Sequence, residues 1–117
     1  MVDDGLSRMS LTEISGAIAK REVSSKEVVQ NTLELLEYRG NSLNCVARLF
    51  PEDALAEAGI ADQELSSGNS RGLLHGVPLT HKDMFYRKGE ITACGSKICE
   101  NYIPSVTATA LVKLDSS

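Results

Sequence analysis

The run Gly72-Leu73-Leu74-His75-Gly76-Val77-Pro78-Leu79-Thr80-His81-Lys82-Asp83 mixes permissive and rigid backbone and ends on a lysine beside an acid. Gly72 and Gly76 tolerate conformations that other residues resist, while Pro78 fixes φ and removes a donor, which suits the first rung of a strand. A strand is therefore predicted from about Val77, with Val77, Leu79 and His81 on one face and Pro78, Thr80 and Lys82 on the other. A strand that delivers an amine at its C-terminal end sets it where an α/β sheet opens to a ligand. Lys82 is the candidate site residue.

Upstream of this run the pattern is helical. Ser10-Leu11-Thr12-Glu13 reads as a capping box, and Leu11, Ile14, Ala17 and Ile18 recur at helical spacing, so a first helix is predicted to about Lys20. Ser24-Ser25-Lys26-Glu27 repeats the capping logic. Val28, Val29, Thr32, Leu33, Leu35 and Leu36 then give a broad apolar face, and Gly40 is the expected stop. Two capping boxes so close together predict a helical hairpin. Asn44 to Phe50 is short, apolar and bounded by turn formers, which predicts a strand. Pro51 suits the first position of a third helix, with Glu52 and Asp53 favourable in its first turn. That helix is expected to reach about Leu65, with Ala54, Ala56, Ala58 and Ala61 small enough for close packing on a sheet and Gly59 a weak point. Residues 66–72 are loop by composition, and Met1 to Arg8 is polar and expected to fray.

Downstream, Met84-Phe85-Tyr86 reads as an apolar turn and Arg87 to Glu90 as an exposed one. Ile91 to Ser96 is expected to cross near Lys82. Pro104 and Ser105 introduce a last helix whose Leu111 and Leu114 share a face. No internal repeat and no low-complexity tract occurs.

These residues resemble a known family, the amidase-signature hydrolases. Its Gly-x-Leu-x-Gly-[Ile/Val]-Pro-x-x-x-Lys-Asp run is matched in order by Gly72, Leu74, Gly76, Val77, Pro78, Lys82 and Asp83. Glu22 to Val29 resembles the family's early helix start, and Leu43-Asn44 with Ala47 its first strand. Thr92-Ala93-Cys94-Gly95-Ser96 resembles its Thr-x-x-Gly-Ser segment, and Thr107 to Leu114 its next helix. The likeness runs from about Leu11 onward.

The resemblance implies amide hydrolysis by two serines and a lysine. One serine attacks the carbonyl, a second on a cis peptide bond relays the proton, and the lysine is the general base. Only the lysine carries over, onto Lys82; the two serines are expected in a Gly/Ser-rich segment downstream of this chain. Leu114-Asp115-Ser116-Ser117 offers no capping glycine, and an acid at a helix C-terminus opposes the dipole, so the chain reads as cut inside an element.

Composition sets outer bounds. A chain of 117 residues suits one small domain, and 42% hydrophobic with 24% charged residues is ordinary for a globular protein. Aromatics at 4% and no Trp predict a modest core of Leu, Val, Ile and Ala. A net charge of −4 without clustered Lys or Arg argues against a nucleic-acid partner. Cys45, Cys94 and Cys99 fit no zinc or redox spacing and suggest a reducing compartment. No charged stretch with an apolar run follows Met1, and no apolar run approaches the ~20 residues that span a bilayer, so no membrane contact and a cytoplasmic location are expected.

Competing readings of the chemistry-bearing residues are structural. Without the family run, Lys82 reads as a lysine reaching to solvent; with it, as a base whose burial in a whole enzyme favours the neutral amine. Asp83, adjacent on a strand, points away from Lys82 and is expected to satisfy backbone donors. His75 and His81 have no third ligand at metal spacing; the first reads as a loop residue and the second as packed against the sheet. Cys94 and Ser96 lack the strand-nucleophile-helix elbow and are taken as neighbours of the site.

The expected fold is α/β: N-terminal helices packed on a few strands of a larger, truncated, mixed amidase-type sheet, with residues 1–117 the N-terminal part of a single domain. Exposed sheet edges predict self-association. The expected function is C–N amide hydrolysis on a small-molecule substrate, without cofactor or metal, by an enzyme of which this chain carries only Lys82 and is inactive alone. The alternatives are a non-catalytic interaction module, or the N-terminal part of a glutamine-dependent tRNA amidotransferase A-type subunit.

Overall fold

The computed structural model describes residues 5–117; the chain divides into two compact units, Met1–Pro78 and Leu79–Ser117. Of the segment expected to fray, residues 1–4 lie outside the described residues, and Leu6–Arg8 forms a 3-10 turn.

The first unit is helical. Helix α1 (Leu11–Ala19) and helix α2 (Ser25–Leu35) both begin with the capping boxes read from the sequence. Glu27 N–H donates to Ser24 Oγ at 3.1 Å, and the Glu27 carboxylate accepts from Ser24 N–H at 2.9 Å. Between the helices Arg21 takes φ 60°, while Arg21 N–H donates to Ile18 O and Glu22 N–H to Ala17 O, both at 2.9 Å. This is a Schellman close with arginine in the position glycine usually fills.

The backbone does not stop at Gly40. It passes through a π-helical turn (Leu36–Gly40) into the short helix α3 (Asn41–Leu43) and turns at Asn44, φ 49°. Gly40 is buried, and a Cβ there would meet Val46 Cγ2 at 2.6 Å, so this glycine permits close packing and does not end the helix.

Helix α4 (Pro51–Ser66) starts at the predicted proline. Its buried alanines, Ala58 and Ala61, do not meet a sheet. Helix α4 packs on α2, where Val29, Leu33 and Ala58 form the core, flanked by Leu49, Ala54 and Leu55.

The expected α/β fold is therefore corrected. Among the described residues there is no strand and no sheet, in either unit. A strand exists through its neighbour's N–H and C=O groups, and neither predicted strand has such a partner. In residues 44–50, Cys45 N–H turns back to Gly40 O at 3.2 Å and Phe50 O accepts from Ala54 N–H at 3.0 Å. Val46 and Leu49, the half-buried residues of that stretch, pack on helical elements instead. In residues 77–82, Val77 N–H closes a turn on Leu74 O at 3.0 Å, and Lys82 O is taken by the turn that follows.

The glycine-rich half of the run that reads as a strand entry is a compact turn docked onto the helices. Ser15 Oγ donates to Leu73 O and Ser25 Oγ to Gly76 O. Gly76 takes φ 72° with Ser25 and Ala61 where its Cβ would stand. His75, 5% exposed, accepts from Arg71 N–H through Nδ1 at 3.1 Å, so its proton sits on Nε2 and is donated to Ala61 O at 2.8 Å. The expected loop histidine is a buried latch between the turn and α4.

The second unit contains a 3-10 turn (Lys97–Cys99) and helix α5 (Thr109–Asp115). Its buried residues are few: Thr92, Pro104 and Leu111. Leu114 is exposed, so the expected shared face of α5 is buried only at Leu111. Asp115 at the end of α5 is neutralised by a bidentate pair with the Arg87 guanidinium, at 2.9 and 3.1 Å.

Candidate active site

Lys82 belongs to the second unit and is exposed, on irregular backbone that the sequence reads as strand. Its carbonyl accepts from Met84 N–H at 2.7 Å and Phe85 N–H at 3.2 Å, a tight reversal just after the lysine. Among the described residues its ammonium has no ion-pair partner.

Asp83 holds the neighbourhood together. Its carboxylate accepts from Ala93 N–H at 3.3 Å, and its carbonyl accepts from Cys94 N–H at 3.0 Å. Asp83 thus satisfies backbone donors as expected, though in a turn ten residues on. That turn is Ala93 to Ser96, closed by Ser96 N–H on Ala93 O at 2.9 Å, with φ 55° at Cys94 and 66° at Gly95. Positive φ at both central positions belongs to the primed turns, which suit glycine and strain cysteine. The likeness to the Thr-x-x-Gly-Ser segment thus falls on a turn that Asp83 ties to the backbone beside Lys82.

The other candidates are placed as follows. Ser96 Oγ accepts from Ile98 N–H at 3.3 Å and caps the 3-10 turn. Cys94 is exposed, and no hydrogen bond joins it or Ser96 to Lys82 among the described residues. His81 is not packed on a sheet; it is exposed and stands edge-on to Phe85, ring centroids 6.4 Å apart. No group of three His, Cys, Asp or Glu side chains able to hold a metal ion occurs among the described residues.

Sequence reasoning missed two features of this unit. Tyr86 and Tyr102 pack with ring centroids 5.5 Å apart, and the Tyr102 phenol, ahead of the Cys94 and Cys99 thiols, holds the Tyr86 hydroxyl above its ordinary range. The Arg87 pairing with Asp115 joins charges 28 residues apart, a separation that no local pattern marks. As a whole the site offers one exposed amine, fixed through its backbone, with neither hydroxyl nor thiol among the described residues hydrogen-bonded to it.

Comparison with known proteins gives the context. A family model described as Amidase matches residues 27–117. A putative amidase, AmiD, of Mycobacterium tuberculosis (strain H37Rv) is 37% identical over 112 residues, covering 96% of this chain and 24% of that protein. The glutamyl-tRNA(Gln) amidotransferase A-type subunit of Bdellovibrio bacteriovorus is 43% identical over 108 residues, covering 92% of this chain and 22% of that protein. Its namesake in Geobacter sulfurreducens is 38% identical over 109 residues, covering 93% and 22%. The chain thus spans about a quarter of the length of these curated relatives. No helix among the described residues is long and apolar enough to cross a membrane. With most of its length under the family model, the chain belongs to the amidase family.

Proposed function

We propose that this chain is the N-terminal part of a single amidase domain whose whole enzyme cleaves C–N amide bonds with two serines and a lysine, Lys82 being the general base. The observation that carries this reading is the family match over residues 27–117, which contains the Gly72 to Asp83 run with its exposed, backbone-anchored lysine. In the proposed reaction a serine hydroxyl attacks the amide carbon, and its proton passes through a second serine to the Lys82 amine. The C–N bond breaks as the leaving nitrogen takes that proton, and water then cleaves the acyl ester by the same route.

Both serines come from outside this chain, so it is inactive alone. A lysine base must be neutral, and desolvation favours the neutral amine. Lys82 is exposed in this chain, and the remainder of the enzyme supplies that cover in this reading. The substrate is a small-molecule amide, with no cofactor, nucleic acid or membrane required, and the location is cytoplasmic.

A second reading, the N-terminal part of a glutamine-dependent amidotransferase, is favoured by the 43% identity to a relative of that description. Ammonia release from simple amides and from glutamine separates the two. The assay compares this chain with one extended to the relatives' length, with and without Lys82→Ala. Turnover only in the long form, abolished by Lys82→Ala, is the expected result. Hydrolysis by the short chain unaided would overturn the placement of the nucleophile and turn attention to Ser96 and Cys94. A long form that neither hydrolyses amides nor loses anything with Lys82→Ala would leave a non-catalytic interaction module.

A further inference from the structure

His75 is an ionisable ring in a place built for its neutral form. It is 5% exposed, on the turn that follows α4 in the chain, and both ring nitrogens are in use. Nδ1 accepts from Arg71 N–H at 3.1 Å, and Nε2 donates to Ala61 O on α4 at 2.8 Å. An imidazolium carries a proton on each nitrogen and accepts nothing. Protonation therefore sets an Nδ1–H against the Arg71 N–H, leaving that amide without its acceptor and a cation in a buried site. The charged groups around the ring are already engaged. Glu64 on α4 acts on a charged His75, but its carboxylate is gripped by the Arg71 guanidinium at 2.7 and 2.9 Å. Glu57 on α4 acts on that same guanidinium, and Asp62 is taken by the Ser25 and Lys26 amides. Toward the turn, α1 and α2 present hydroxyls, Ser15 Oγ to Leu73 O and Ser25 Oγ to Gly76 O.

We propose that His75 is a proton-operated latch: the neutral ring fastens residues 71–76 to α4, and a proton on Nδ1 releases them. The docked turn holds the ring without that proton. In the released turn the ring stands in water and takes it up, so acid draws the equilibrium toward release and neutral or higher pH toward docking. With a solvated imidazole titrating near about 6.5, going from about pH 7.5 to about pH 5.5 favours the released turn roughly tenfold. Along the chain, the latched residues lead into the segment that carries Lys82. The latch operates whether or not the chain takes part in amide hydrolysis.

The test follows the 117-residue chain by nuclear magnetic resonance at those two pH values, reading the nitrogen-15 shifts of the His75 ring and amide hydrogen exchange as protection factors. The expected result is the Nε2–H tautomer at the higher pH and an Arg71 protection factor about tenfold lower at the lower pH. Protection of the Glu22 amide, which closes α1 on Ala17 O, is expected to hold steady, marking the release as local. His75→Gln keeps an acceptor and a donor without titrating, and is expected to abolish the pH dependence at Arg71. An Nδ1–H tautomer, Arg71 protection that ignores pH, an equal loss at Glu22, or a pH dependence that survives in His75→Gln would each overturn the proposal.

Discussion

The N-terminus of helix α2 is held by a residue from another helix, and that dependence can be measured. Of the four N–H groups that a helix start leaves without partners, the capping box satisfies two, Ser24 N–H on the Glu27 carboxylate and Glu27 N–H on Ser24 Oγ. The other two go to Asp62 on α4: Ser25 N–H to Oδ1 at 2.7 Å and Lys26 N–H to Oδ2 at 3.1 Å. Ser25 is 1% exposed, so without Asp62 water does not readily replace its bond. An unsatisfied buried donor costs about 1–3 kcal/mol, and a carboxylate at the positive end of a helix contributes about 0.5 kcal/mol more. Lys26 is exposed and rehydrates at little cost.

Asp62→Ala is therefore expected to destabilise the first unit by about 2–3 kcal/mol, roughly 30- to 150-fold in the folding equilibrium. Asp62→Asn keeps an acceptor for Ser25 and is expected to lose about 1 kcal/mol. Urea unfolding followed by far-UV circular dichroism gives these differences, and hydrogen exchange at the Ser25 amide localises them. Asp53→Ala, an acid in the first turn of α4, is the control, with an expected loss below about 1 kcal/mol. Equal effects of Asp62→Ala and Asp62→Asn would refute the capping argument in favour of net charge alone. An Asp62→Ala effect no larger than the control would refute it altogether.

Gly76→Ala must hold a side chain at φ 72° with its Cβ 2.9 Å from Ser25 Cβ, and a fall of about 2–4 kcal/mol in the same unfolding assay is expected. His75→Ala removes the bonds to Arg71 N–H and Ala61 O from a buried site, with an expected loss of about 2–3 kcal/mol and faster exchange at the Arg71 amide. Backbone and then hydroxyl hydrogen bonds from Ser10 and Ser24 hold the Glu13 and Glu27 carboxyls below their ordinary value of 4.5. Their contribution is thus full above that value and lost as pH falls through the lower folded values; Glu13→Gln with Glu27→Gln should flatten helix content over that range. Lys82→Ala should leave the stability of this chain unchanged within about 0.5 kcal/mol, since the exposed side chain has no ion-pair partner among the described residues.

What was legible in the sequence was local. The capping boxes at Ser10 and Ser24 and the proline opening α4 depend on residues within one turn, and each stands where the pattern put it. The family run around Lys82 was equally legible, because a motif is a statement about order along the chain. The absence of strands among the described residues was not legible, because extended pairing is fixed by partners that periodicity cannot supply. Val46 and Leu49 look like strand residues until Gly40 and the α2–α4 core claim them. Asp62 and Arg87 escaped for the same reason, each acting on residues far away in sequence.

The Gly72 to Asp83 run thus divides into two kinds of work. Its first half belongs to the first unit, and three of its residues are used for docking: Gly76 against Ser25, His75 between Arg71 and Ala61, the Leu73 carbonyl on Ser15. Its second half belongs to the second unit, where Asp83 satisfies two amides and Lys82 is left with an amine unpaired among the described residues. A substitution in the first half should therefore be read out as stability, and one at Lys82 should leave stability unchanged and, under the proposed function, alter turnover of the whole enzyme. The boundary between the two units falls just after Pro78, which has no N–H to donate. A run that reads as one motif in sequence is, physically, a docked turn followed by an exposed lysine on a separate unit.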